Sequence, residues 1–178
     1  IESRGDWRNI ITFIAHDGDD NDGNIHMTQA ESLSNIINDN YQLYNLEKIY
    51  LDSYLQEATP VGQRSPQTNE AINRRIDQGS LIVNYTGHGG ELGLTQERIV
   101  NVSQIQNWEN QNRLPLFVTA TCEFGRFDNP ALTSSGEHII LNPNGGGVAL
   151  LTTTRYVYSH LNYNLNTNFI NNIFEKVD

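Results

Sequence analysis

The only cysteine of the chain, Cys122, closes the apolar run "LPLFVTATC", and thirty-four positions earlier His88 closes "SLIVNYTGH". A thiol and an imidazole brought together can break a peptide bond. The thiolate attacks the carbonyl carbon, the imidazole exchanges protons with the thiol and the leaving amine, and nearby donors take the developing negative charge. Gly87, Gly89 and Gly90 around the histidine allow a tight turn and leave backbone N–H groups unshielded by side chains. The amides of Gly89 and Cys122 are therefore the candidate oxyanion hole. Each part also has a plainer reading. A lone cysteine is most often a small buried hydrophobe, glycines can serve a turn alone, and a histidine ending a strand can be a satisfied polar residue. The matched placement of the two points to catalysis.

That placement depends on the elements that carry them. The runs 10–15, 47–52, 81–85, 116–121 and 148–154 read as strands, and four of them are almost continuously apolar or β-branched, as parallel strands covered on both faces should be. Between them lie helical patterns. Met27, Ala30, Leu33, Ile36 and Ile37 share one helix face. Ser65 and Pro66 open a helix that Gly79 stops, and Ala71, Ile72 and Ile76 face the sheet. Ser134 and Glu137 form a capping box, and a last helix is expected over 165–176. This alternation predicts an α/β fold, an open, mostly parallel sheet flanked by helices in three layers, with strand one beside strand three. Ligands of such sheets bind beyond the carboxyl ends of the strands. Asp17, His88 and Cys122 all follow strand ends and so share one edge.

Composition narrows the field. Twenty-one acidic residues against 11 basic ones give a net charge of −10, which argues against nucleic-acid or anionic-membrane binding. A single cysteine excludes an internal disulfide and disfavours a zinc–cysteine site. With 178 residues, residues 1–178 read as one domain. The chain opens on Ile1 and shows neither a signal-peptide pattern nor an apolar run of membrane-spanning length, and reads as an internal piece of a longer protein. The acidic stretch "HDGDDNDGN" offers hard oxygen ligands suited to a structural calcium, although Thr28 stands where an EF-hand loop has its twelfth-position glutamate. The thiol chemistry needs no cofactor and no catalytic metal. His16, His26, His138 and His160 lie scattered without ligand spacing and are expected to be structural or solvent-facing.

The stretches "NYTGHGGE" and "TATCEFGRFD" resemble the gingipain-type cysteine peptidases, family C25, which share the caspase-like α/β fold. "FIAHDGDDNDGNIH", "LPLFVTATC" and "GGGVALLTTT" follow the same family's order and spacing. The resemblance implies that His88 is the catalytic histidine, Cys122 the nucleophile, and Asp17 the acid that orients the histidine. Arginine-specific members carry a carboxylate at the start of the helix after strand one, on the floor of the specificity pocket. Asn24 stands there in this chain, and a neutral amide cannot pair with a buried guanidinium, so strict arginine specificity is not expected. Tyr156, Val157 and Tyr158 in "RYVYSH" are expected to supply a pocket wall. A sixth strand is not evident before Asp178, and the segment is expected to stop short of the full catalytic domain.

Within the family, residues 119–159 look most like the sortase branch of type IX secretion. That likeness implies an enzyme at the bacterial cell surface, associated with the outer membrane. It would remove C-terminal sorting domains from exported proteins and join the new end to anionic lipopolysaccharide, with other secretion components as partners. Two further readings stand beside it. One is a secreted gingipain-like peptidase of non-arginine specificity. The other is a catalytically silent binding module with the same fold, against which the intact Cys122 and His88 weigh.

Overall fold

In a computed structural model that describes residues 4–18 and 22–175, the elements run β1 (Ile10–Ala15), α1 (Ile25–Asn40), β2 (Asn45–Tyr50), β3 (Glu57–Thr59), β4 (Gly62–Arg64), α2 (Pro66–Gln78) and β5 (Ile82–Thr86). Then follow β6 (Gly89–Gly90), β7 (Gly93–Leu94), β8 (Val100–Asn101), α3 (Val102–Gln106), β9 (Leu116–Ala120), α4 (Ser135–Leu141), β10 (Ala149–Thr152) and α5 (Ser159–Asn172). The main sheet has five parallel strands in the order β10-β9-β5-β1-β2. Strand one therefore neighbours the third main strand, as predicted. The hairpin β3–β4 and the small sheet β6–β7–β8 decorate the carboxyl-end side of this frame.

Side chains alternate across the sheet and build two apolar layers. Ile11, Phe13, Ile82 and Val118 meet Leu33 and Ile37 of α1 and Ile170 of α5 on one face. Ile14, Val83, Tyr85 and Phe117 meet Ile72 and Ile76 of α2, Ile105 of α3 and Ile139 of α4 on the other. Because both faces are covered, every residue of β5 is buried, which is why its sequence shows no polar alternation. The fold is the mostly parallel, helix-flanked caspase-like architecture expected.

Helix starts and stops follow local chemistry. Pro66 occupies the first turn of α2, and Gly79 ends it at φ 89°. Ser134 and Glu137 close the capping box of α4 reciprocally. Most element ends shift by one or two residues from the sequence reading, and two of the differences have a clear local cause. The second main strand ends at Tyr50 because Leu51–Ser53 coil into a 3-10 turn. The last helix begins at Ser159 rather than 165. Its first turns bury asparagines instead of apolar residues: Asn162 donates to the Thr121 carbonyl at 3.1 Å, and Asn166 exchanges two amide hydrogen bonds with Asn84 at 2.7 and 2.9 Å. A hydrophobic pattern cannot reveal such a face.

Candidate active site

The site is set by strand register. Ala15, Thr86 and Ala120, the last residues of β1, β5 and β9, lie side by side. Asp17, His88 and Cys122 each follow two residues later and project from the same rung. Backbone bonds from His16 N to Thr86 O at 3.0 Å and from Gly87 N to Ala120 O at 3.2 Å carry the pairing one residue further. The glycines are then required by packing. A Cβ on Gly87 would sit 2.5 Å from His16 Cβ, and one on Gly89 would sit 2.6 Å from Thr121 Oγ1. The histidine loop thus lies directly on the residue preceding the thiol. Tyr85 Oη and Thr95 N both donate to the His88 carbonyl, at 2.5 and 3.1 Å, and fix the turn.

Cys122 is half-buried, and its Sγ donates to the Val157 carbonyl at 3.6 Å. The next residue, Glu123, adopts φ 51°, a left-handed conformation that a non-glycine residue takes at a cost. The segment after β10 wraps this turn. Thr153 Oγ1 donates to the Thr121 carbonyl, Glu123 N reaches Arg155 O at 3.4 Å, and Arg155 pairs with Asp128 at 2.5 Å. Tyr156, Val157 and Tyr158 therefore flank the thiol, with both tyrosines largely exposed. Hydrogen bonding to Glu123 raises the Tyr156 phenol above its ordinary value.

His88 Nε2 lies 2.5 Å from Asp22 Oδ2. That hydrogen bond holds the Asp22 carboxyl below the usual carboxylate range, against the opposing effect of burial. Asp17, the acid expected in this role, is turned elsewhere: its carboxylate faces His16 Nε2 at 3.2 Å and accepts from Gln56 Nε2. The difference has a local cause. Asp17 leaves the sheet beside His16, whereas Asp22 returns toward it at the far end of the acidic loop, just before α1. Asp19 and Asp20, the remaining acids of the proposed calcium loop, lie outside the described residues. Asn24 is the exposed N-cap residue of α1.

Two of the histidines expected to be scattered, His16 and His26, are gathered beside His88. The rings of His16, His26 and His88 cluster with centroids 4.9 to 6.0 Å apart. His16 directly follows β1, His26 lies in the first turn of α1, and His88 follows β5, so the sheet edge gathers residues far apart in the chain. His16 and His26 are buried. Burial, and then the neighbouring His88 and His16, lower the His26 imidazole to about 4. Glu97, itself buried, faces His16 Nε2 at 3.4 Å. Burial alone would raise the Glu97 carboxyl, but hydrogen bonds led by that from His16 lower it overall. His160 stays apart, stacked on Tyr158 at 5.8 Å, and His138 lies on α4. A cleft of about 1000 Å³ opens beside His88, with Asp22, Asp17, Asp52, Gln56 and Gln63 in its wall. The glutamines and Asp52 carried no motif in the sequence and could be found only through the fold.

The fold has clear relatives among solved structures. The crystal structure of the Arg-specific cysteine proteinase gingipain R superposes with a TM-score of 0.73 at 20% identity, over 94% of this chain and 37% of that one. The complex of Porphyromonas gingivalis RgpB pro- and mature domains gives 0.74 at 19% identity, over 97% and 38%. A structure described only as a protease gives 0.67 at 18% identity, over 90% and 32%. The chain thus spans well under half the length of these structures. No curated protein sequence matches it. The model of peptidase family C25 matches residues 1–177, and the chain belongs to that family, the gingipain-like cysteine peptidases.

Proposed function

We propose that this chain is the catalytic segment of a cysteine endopeptidase in which Cys122 is the nucleophile and His88 its proton-exchange partner. The observation that carries the reading is their equal offset from paired strand ends, two residues beyond Thr86 and Ala120. The Cys122 proton passes to His88, the sulfur attacks the scissile carbonyl, and the C=O electron pair moves onto oxygen. The amides of Gly89 and Cys122 are the donors for that oxyanion. Collapse expels the amine, which takes the proton from His88 and leaves a thioester. Water or an acceptor amine then attacks the thioester and regenerates the thiol. Asp22 takes the orienting role expected of Asp17, because its carboxylate is the one against His88. It steadies the imidazolium formed in the first step. Any calcium in the acidic loop would be structural in this scheme.

We further infer that the enzyme is a surface sortase of type IX secretion, on the likeness of residues 119–159 to the sortase PorU. In that role it releases C-terminal sorting domains at the outer membrane and passes the acyl group of the thioester to an amine of anionic lipopolysaccharide, which forms an amide and frees the Cys122 thiol. A secreted peptidase without arginine preference is the second reading, favoured by the neutral Asn24 at the start of α1. The full-length protein, incubated with a sorting-domain substrate with and without Cys122→Ala, tests both. Cleavage and transfer to an added amine, both lost in the variant, support the sortase. Cleavage to the free acid alone supports the peptidase, and no cysteine-dependent cleavage refutes both.

A further inference from the structure

We propose that His16, His26 and His88 form a binding site for a zinc-class transition-metal ion, and that the bound ion switches the peptidase off. One ligand nitrogen from each ring lies within 4.8 Å of the others, so small ring rotations bring all three onto one ion at the Zn–N distance of about 2.0–2.1 Å. Asp22 supplies an oxygen ligand: its Oδ2 stands 2.5 Å from His88 Nε2 and 3.7 Å from His26 Nε2. Three imidazoles and one carboxylate make a tetrahedral N3O set. It suits zinc and discriminates against calcium and magnesium, which take oxygen ligands.

Two independent observations point to a ligand here. His26 is 5% exposed, yet among the described residues neither of its ring nitrogens has an acceptor or donor at full hydrogen-bond distance, and Asp22 Oδ2 stands 3.7 Å from Nε2. A buried imidazole left so is costly unless something else occupies its lone pair. The second observation lies behind the cluster. Asp17 and Glu97 face His16 Nε2 at 3.2 and 3.4 Å. Carboxylates in that place hold the proton on Nε2, which leaves the lone pair on Nδ1, the outer-sphere support common to metal-bound histidines. The way in is open, since the His88 side chain is 46% exposed to the cleft.

The inhibitory consequence rests on the assignment of His88 above; metal binding itself does not. An ion on His88 Nε2, the nitrogen beside Asp22, fixes the ring proton on Nδ1 and so removes the lone pair that must accept the Cys122 proton. Zinc can also silence thiol peptidases by bridging the cysteine and its histidine, so the test must separate the two modes. Zn²⁺ is titrated calorimetrically into the chain and into Cys122→Ala, and imidazole ¹⁵N signals are followed by NMR. We expect one ion per chain, equal affinity in both proteins, and movement of the His16, His26 and His88 signals with His138 and His160 unchanged. His26→Gln should weaken binding at least about tenfold and make peptide cleavage correspondingly less sensitive to zinc. Loss of binding in Cys122→Ala, a shift of His88 alone, or no saturable binding would each overturn the proposal. The NMR result on the unaltered chain stands even if His26→Gln fails to fold. Zinc binding in a full-length protein without peptidase activity would refute the catalytic assignment and leave the site intact.

Discussion

Asp22→Asn removes one charge and almost no volume from the acid that meets His88. Its effect can be sized from the contact, a 2.5 Å charge-assisted hydrogen bond between side chains 46% and 36% exposed. Sheltered from water, such a bond is worth about 1.5–3 kcal/mol. Solvent and salt reach both partners here, which reduces it to about 1–1.5 kcal/mol. At about 1.4 kcal/mol per decade, kcat/KM should fall roughly tenfold. The fully buried aspartate of a serine-protease triad is worth about ten-thousandfold, and that size of effect is not expected from so open a pair. The loss should appear in kcat, because the carboxylate steadies an imidazolium that forms after substrate binds. It should shrink as ionic strength rises. Peptide hydrolysis by thiol-titrated enzyme, with chelator present, measures it, and Asp17→Asn is the comparison. Asp17 faces His16 and Gln56, so its replacement should slow turnover far less. A larger loss in Asp17→Asn, or an unchanged rate in Asp22→Asn, refutes the assignment of Asp22.

Three other outcomes can be measured directly. Mild alkylation should modify Cys122 near neutral pH, and His88→Ala should slow it, since an imidazole promotes the reactive thiolate; reaction only after denaturation would exclude a nucleophilic role. Asn24→Asp should shift a peptide library toward basic residues at the cleaved bond by restoring a carboxylate partner; strong arginine preference in the wild type would contradict the role given to Asn24. The third concerns acid stability. The His26 imidazole titrates near 6.5 in the unfolded chain and at about 4 in the folded one, so the unfolded chain binds the extra proton between those values. Its contribution to stability is therefore full above the unfolded value and is lost as pH falls toward the folded one. The whole shift would be worth about 3.4 kcal/mol at about 1.36 kcal/mol per unit, and screening by solvent in the adjoining cleft reduces this to about 2 kcal/mol. Urea unfolding near neutral pH and again near pH 5 should show that dependence in the wild type and a weaker one in His26→Gln; equal slopes would refute it.

The frame was legible because its signals are local. Continuous apolar strands, the Ser65–Pro66 start, the Gly79 stop and the Ser134–Glu137 box each declare themselves within a few residues. The shared sheet edge of His88 and Cys122 was legible for a related reason, since each ends a strand and parallel strands end together. The choice among the acids of the 17–22 loop was not. Composition shows that the loop is acidic, but which carboxylate turns back to the sheet depends on the path of the chain between β1 and α1. The histidine cluster escaped for want of sequence spacing: His16 and His26 become neighbours of His88 only across β1 and β5. The start of α5 escaped because Asn162 and Asn166 look like surface residues until Thr121 and Asn84 are found opposite them.

The Asn84–Asn166 pair has an evolutionary consequence. Each amide satisfies the other in a place that water does not reach. Either one changed alone to an apolar residue strands a buried partner at about 1–3 kcal/mol, whereas changing both together can be nearly neutral. The two positions should therefore drift as a couple in descendants of this sequence, both amide or both apolar. The turn that carries Cys122 inherits that coupling. Four residues before Asn166, Asn162 holds the carbonyl of Thr121, and Thr121 precedes the thiol. A lineage that exchanges the amide pair for hydrophobic contact also resets the depth at which α5 sits against β5. It must then retune the position of Cys122, so substitutions around that thiol are expected to follow changes made in the core.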